Sequence, residues 1–186
     1  LVCVENTTNK GGGACYDLAE LRKIKSVCDT NGLKFHLDGA RIWNALVEKK
    51  ENPIEYGKMF DTISVCLSKG LGAPAGSLLI SDKETIRRAL RVRKILGGAM
   101  RQIGYLAAAG NYALENHVGR LAEDHRRAKE IAAVLLKQNW VASVEPVETN
   151  ILIFALQSRV PEDVFMEKLQ QKNISISSMG QGKLRI

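Results

Sequence analysis

The sequence predicts an α/β protein, a mainly parallel sheet with flanking helices followed by a small C-terminal α/β lobe. Over the first half, short β-prone runs alternate with helical patterns at spacings that imply parallel strands joined by helical crossovers. An Ala- and Leu-rich helical stretch then runs from Arg101 to about Gln138, and beyond it the texture changes to short strands capable of antiparallel pairing. The division is expected at 138/139, with residues 1–138 forming a large domain that includes the connecting helices and residues 139–186 the small lobe. There is no initiator Met, and both ends, Leu1–Val4 and Leu184–Ile186, fall inside apparent strands. The sequence therefore reads as a fragment with both of its domains incomplete.

Leu1 to Val4 reads as a buried strand, and Gly11-Gly12-Gly13 interrupts regular structure in the loop that follows. Asp17 suits an N-cap, with Glu20 three residues on and Leu18, Leu21, Ile24 and Cys28 at helical spacing until Asn31-Gly32. Leu33 to Leu37 alternates like a strand and delivers Asp38-Gly39, after which Ala40 to Val47 can form a short helix. Thr62 to Leu67 is the next strand, and it delivers Ser68-Lys69. Gly76 to Ile80 reads as a further strand and Asp82 to Lys94 as a basic helix ended by Gly97-Gly98. In the lobe, strands are expected at Val141–Val147, Asn150–Ala155, Ile174–Ile176 and Lys183–Ile186, with a helix from Pro161 to Lys172.

Composition narrows the function classes. No apolar run approaches the roughly 20 residues of a membrane span, and no signal or transit peptide is evident, so no membrane partner and a cytoplasmic location are expected. Cys3, Cys15, Cys28 and Cys66 are scattered without metal-ligand spacing and read as ordinary thiols, with no metal site. Much of the formal charge of +7 lies between Asp82 and Arg101. That segment fits a solvated helix face or a phosphate-facing patch better than a polynucleotide groove, because no aromatic residues are interleaved to stack on bases. No nucleic-acid partner is expected, although a basic nucleic-acid-binding domain remains a competing reading.

In open parallel sheets ligands sit outside the carboxyl ends of the strands, where Asp38 and Lys69 both fall. A lysine between a buried strand and a glycine-rich turn can be desolvated into a Schiff-base nucleophile, though in isolation it reads more readily as a rim lysine. The Asp38 carboxylate could hold a pyridinium nitrogen protonated, or could cap a helix. Arg41, one helical turn on, could reach the same ligand, or could be a solvated arginine.

Three ordered blocks resemble one known family: Phe35-His36-Leu37-Asp38-Gly39-Ala40-Arg41-Ile42-Trp43-Asn44-Ala45, Cys66-Leu67-Ser68-Lys69-Gly70-Leu71-Gly72-Ala73-Pro74-Ala75-Gly76-Ser77, and Arg93-Lys94-Ile95-Leu96-Gly97-Gly98-Ala99-Met100-Arg101-Gln102. They resemble the low-specificity L-threonine aldolases, which use pyridoxal 5'-phosphate on an aspartate-aminotransferase-like fold, and the resemblance covers essentially the whole chain. It implies that Lys69 carries the cofactor as a Schiff base, that Asp38 partners the pyridine nitrogen, and that Arg41 contacts cofactor or substrate. Arg185 would bind the carboxylate of a small amino-acid substrate, while Arg101 and Lys94 would lie near the site. Glu5-Asn6-Thr7 resembles the family's turn over the cofactor, but Thr8 stands where the family usually has His. Thr8 can hydrogen-bond a substrate hydroxyl yet cannot act as acid or base near neutral pH.

The implied reaction is aldol cleavage of L-threonine or L-allo-threonine type substrates to glycine and an aldehyde. Another pyridoxal-phosphate enzyme of the same fold, a β-eliminating lyase or an aminotransferase, is the alternative. The resemblance also implies a homodimer paired into a homotetramer. An N-terminal segment of the same protein, missing here, would contribute the glycine-rich phosphate cup and the aromatic residue that stacks on the ring.

Overall fold

Period-two alternation of apolar side chains builds the first sheet. Strands β1 (Val2–Glu5), β2 (Phe35–Gly39) and β3 (Thr62–Cys66) are parallel, as expected, and β4 (Ser77–Ser81) pairs antiparallel with β3, giving the order β1-β2-β3-β4. Helices α1 (Leu18–Thr30), α2 (Ile42–Lys49) and α3 (Pro53–Met59) pack on the face that carries Phe35, Leu37, Ile63 and Val65. Leu21, Phe35 and Leu37 are completely buried there. Alternation sends His36, Asp38, Thr62 and Ser64 to the opposite face. The parallel register aligns Glu5 with Asp38 and Asp38 with Ser64, so the carboxyl ends of all three strands form one edge.

The computed structural model describes residues 1–186, which divide into two units, residues 1–7 with 15–122 and residues 8–14 with 123–186. After β4 the first unit continues through α4 (Lys83–Ile95) and α5 (Gly104–Asn116), and the division falls within the first turn of α6 (Leu121–Leu135). Asp82 caps α4, its carboxylate accepting from the Glu84 and Thr85 amides, and these bonds hold its pKa down at about 2. None of the chain's helices is long and apolar enough to cross a membrane.

The second unit is built on an antiparallel sheet of order β5-β6-β8-β7, with β5 at Val141–Val144, β6 at Ile153–Leu156, β7 at Ser177–Gly180 and β8 at Lys183–Arg185. Its core joins Ala132 and Leu135 of α6 to Leu152, Phe154 and Leu184, with the rings of Trp140 and Phe165 in tilted contact at 5.1 Å beside them. Phe165 comes from α7 (Glu162–Gln170).

Local differences from the sequence expectation have local causes. Helix α2 begins at Ile42, so Arg41 is its N-cap residue and does not lie one helical turn from Asp38. Asp17 occupies the N-cap of α1 without a side-chain capping bond and instead meets Lys49 at 3.3 Å. Helix α3 follows from Asn52, whose side chain accepts from the Ile54 amide at 2.9 Å, and from Pro53 in its first turn. Strand β7 lies at Ser177–Gly180 and not at Ile174–Ile176, because the turn Gly180-Gln181-Gly182, with φ of +83°, +56° and +73°, fixes pairing on the residues beside it.

Candidate active site

The loop that carries Lys69 is held from several directions within the first unit. Leu67 and Leu71 are buried with Ala73, Ala113 and Leu121, leaving Ser68 and Lys69 exposed between two anchors. Lys69's carbonyl accepts from the Gly72 amide at 2.8 Å, and the Leu67 carbonyl accepts from Ala73 at 3.0 Å. Gly72 has φ +72°, a conformation that favours glycine, and a Cβ on Gly70 would lie 2.8 Å from Leu121 Cδ2 and displace that methyl group. Two distant side chains hold the loop's carbonyls. His117 donates from Nδ1 to the Leu71 carbonyl at 2.6 Å, and the Arg120 guanidinium donates to the Gly70 carbonyl at 2.8 Å.

Asp38 stands exposed near the end of β2, next to the strand that leads into this loop. Its Oδ1 accepts from the Ala40 amide at 3.0 Å, which fixes the carboxylate and leaves Oδ2 as an acceptor. Gly39 permits this local geometry, since a Cβ there would come within 2.7 Å of the Ser64 carbonyl and 3.2 Å of Ile42 Cβ. Arg41 is half-buried at the cap of α2. Arg101 lies in the exposed turn between α4 and α5.

The turn after β1 is supported from beneath. Asn6 is completely buried; its side-chain amide donates to the Tyr56 hydroxyl at 3.4 Å and its Oδ1 accepts from the Tyr16 amide at 3.4 Å. Tyr56 donates in turn to Glu51 at 2.6 Å, and burial first, then the Glu51 carboxylate, push its pKa far up. Thr7 is also buried, and its hydroxyl finds no protein partner. An orphaned buried hydroxyl at the carboxyl edge fits a polar ligand there. Together with a fixed carboxylate and an exposed lysine from the neighbouring strand ends, it suits a pyridine ring bearing an aldehyde.

Thr8 and Arg185 belong to the second unit. Thr8 opens a loop closed by Thr8 N–H to Ala14 carbonyl at 3.1 Å and Gly13 N–H to Thr8 carbonyl at 2.8 Å. The Thr8 hydroxyl itself makes a long contact to the Ala14 carbonyl, 3.5 Å. Buried Thr149 donates to the Gly13 carbonyl at 2.7 Å, and Gly13, at φ +74°, leaves no room for a Cβ, which would lie 2.5 Å from Thr149 Oγ1. Arg185 on β8 donates to the Asn9 side-chain oxygen at 2.8 Å, so the structure brings the Thr8 loop and Arg185 together. Sequence reasoning did not anticipate the contacts of Asn9, His117 or Arg120. Asn9 adjoins a recognised turn, but nothing local marks His117 or Arg120. No group of three or more His, Cys, Asp or Glu side chains is arranged to hold a metal ion.

Residues 1–159 match the family described as beta-eliminating lyase. Low-specificity L-threonine aldolase 1 of Arabidopsis thaliana is 36% identical over 189 residues, covering 100% of this chain and 53% of the relative. The low specificity L-threonine aldolase of Escherichia coli (strain K12) is 40% identical over 181 residues, covering 96% of this chain and 52% of the relative. The chain thus spans about half the length of these curated relatives. Among solved structures, threonine aldolase from Leishmania major superposes with a TM-score of 0.74 at 20% identity, covering 99% of this chain and 54% of that one. A Listeria monocytogenes protein described as a candidate L-allo-threonine aldolase superposes at 0.85 and 23% identity, with coverage of 99% and 53%.

Proposed function

Because the chain belongs to the beta-eliminating lyase family, we propose that the intact protein is a pyridoxal-phosphate-dependent aldolase that cleaves L-threonine or L-allo-threonine type β-hydroxy-α-amino acids to glycine and an aldehyde. The observation that carries the reading is the pair of adjacent parallel strands, β2 and β3, that bring Asp38 and the Lys69 loop to one sheet edge. The threonine aldolase relatives support the choice of substrate over elimination or transamination.

In this reading the Lys69 amine holds the cofactor, and Asp38 keeps the ring nitrogen protonated through its free carboxylate oxygen. When bound, pyridoxal phosphate supplies an electron sink for the pair released at the substrate's Cα. Arg41 and Arg101 contact the ligand's anionic groups. Arg185 grips the substrate carboxylate and fixes the bond to be cleaved, and Thr8 hydrogen-bonds the β-hydroxyl. The phosphate cup and the stacking ring come from sequence outside these 186 residues.

A homotetramer in the cytoplasm, contributing to glycine formation, completes the proposal. In support of further covering layers, β4 and α4 expose large apolar residues, among them Ile95 at 67%, with Leu96 at the C-cap of α4 at 79% and Tyr105 beyond it at 86%. The test is the visible absorption spectrum of the intact protein with pyridoxal phosphate, beside Lys69→Ala, followed by product analysis on threonine and allo-threonine. A cofactor band that depends on Lys69, with glycine and acetaldehyde as products, is expected. Matching spectra would overturn the lysine's role, and other products would overturn the aldolase reading.

A further inference from the structure

We infer that Asn9 is a positioning residue for Arg185, a neutral bracket that aims the guanidinium without discharging it. The inference rests on the reading of Arg185 as the substrate-carboxylate site. Strand β8 alternates, so Leu184 is buried in the core while Lys183 and Arg185 share the other face. The two cations on that face are treated differently. Lys183 is paired with the Glu145 carboxylate at 2.9 Å, whereas half-buried Arg185 donates to the amide oxygen of Asn9 at 2.8 Å. A carboxylate beside Arg185 would satisfy the cation internally and compete with an incoming carboxylate; an amide oxygen orders the side chain and leaves its full charge.

The bracket is itself fixed. Asn9 sits between Thr8, whose carbonyl accepts from Gly13, and the glycine triplet that lets the loop lie close against its neighbours. A Cβ on Gly11 would meet Thr8 Oγ1 at 2.4 Å, and one on Gly13 would meet Thr149 Oγ1 at 2.5 Å. Buried Thr149 ties the loop to the segment that enters β6. Asn9 therefore presents its oxygen from a loop with little freedom, and the same loop sets Thr8 next to it. Both ends of the proposed substrate, carboxylate and β-hydroxyl, are in this way referred to a single seven-residue segment, Thr8–Ala14.

The experiment is a spectral titration of the intact, cofactor-loaded protein with glycine and with methylamine, which lacks the carboxylate, alongside thermal midpoints. Asn9→Ala is expected to weaken glycine by roughly tenfold, the effect of losing one hydrogen bond to a charged group, and to leave methylamine unchanged. Asn9→Asp is expected to weaken glycine at least as much while holding the thermal midpoint at or above wild type, because it keeps the contact and cancels the charge. Arg185→Lys is expected to weaken glycine alone. If Arg185→Lys weakens glycine and Asn9→Ala does not, the inference about Asn9 is overturned and the reading of Arg185 stands. Should neither variant move glycine, both fall. Equal weakening of glycine and methylamine by Asn9→Ala would reduce Asn9 to a general structural role, and wild-type glycine affinity in Asn9→Asp would overturn the charge argument.

Discussion

His117 donates to the carbonyl of Leu71 across 46 residues of sequence, two positions beyond Lys69. This bond and the Arg120 bond to Gly70 fix the peptide groups that aim the lysine. His117→Ala in the intact protein is expected to cost on the order of 1 kcal/mol in stability and to speed amide exchange in Lys69–Ala73. Cofactor loading, followed by the visible band, should slow several-fold, with His117→Asn restoring part of the rate through its side-chain amide donor. Unchanged exchange in His117→Ala would show that the buried Leu67 and Leu71 hold the loop without it.

Gly39 is the point of closest approach beneath Asp38. Gly39→Ala would force a methyl group to within 2.7 Å of the Ser64 carbonyl on β3, a contact that backbone movement alone can relieve. A loss of about 1–3 kcal/mol is expected from such overpacking. Since the movement lies next to Asp38, the affinity for pyridoxal phosphate should fall as well. Denaturant unfolding and a cofactor titration check the two effects separately.

The strands and helices around the site were legible because period-two and helical apolar patterns are local. Phe35, Leu37, Ile63 and Val65 announce which face of the first sheet is buried, and Asp38 and Lys69 then fall at the strand ends by counting. What the local pattern does not carry is long-range. The Arg185–Asn9 contact joins the two ends of the chain, and the clamp on the Lys69 loop comes from the far end of α5. Gly11-Gly12-Gly13 reads in sequence as an interruption, whereas its physical role is to let Thr8–Ala14 lie against Thr149 and Ile151. The late start of α2 is by contrast local: Asp38 accepts from the Ala40 amide two residues on, and Arg41 stands at the N-cap.

Tyr56 gives a pH-dependent prediction. Burial raises its folded pKa well above the ordinary value of 10.0. Above that value the unfolded chain loses the phenolic proton while the folded chain keeps it, so the contribution is fully present below pH 10 and is lost as pH rises beyond it. Wild-type stability should therefore decline more steeply above pH 10 than that of Tyr56→Phe. At neutral pH Tyr56→Phe should cost roughly 1–2 kcal/mol, because buried Asn6 loses its acceptor and Glu51 a donor. Urea titrations of both proteins across this range provide the comparison.

Under the proposed reading, Thr8 offers a way to separate hydroxyl recognition from carboxylate recognition. Its hydroxyl has only a 3.5 Å contact to the Ala14 carbonyl within the chain, so its hydrogen-bonding capacity is largely unspent. Thr8→Val keeps the branched shape over Gly11 and removes the hydroxyl. In the intact enzyme kcat/KM for threonine should fall about 5–10-fold, the value of one neutral hydrogen bond, while glycine binding stays at wild type because glycine has no β-hydroxyl. Thr8→His should introduce an imidazole titrating near pH 6.5, seen as an added limb in the kcat/KM profile that wild type lacks. If Thr8→Val weakens glycine as strongly as threonine, the side chain acts by shaping the loop around Asn9, and the substrate's hydroxyl is read by another group.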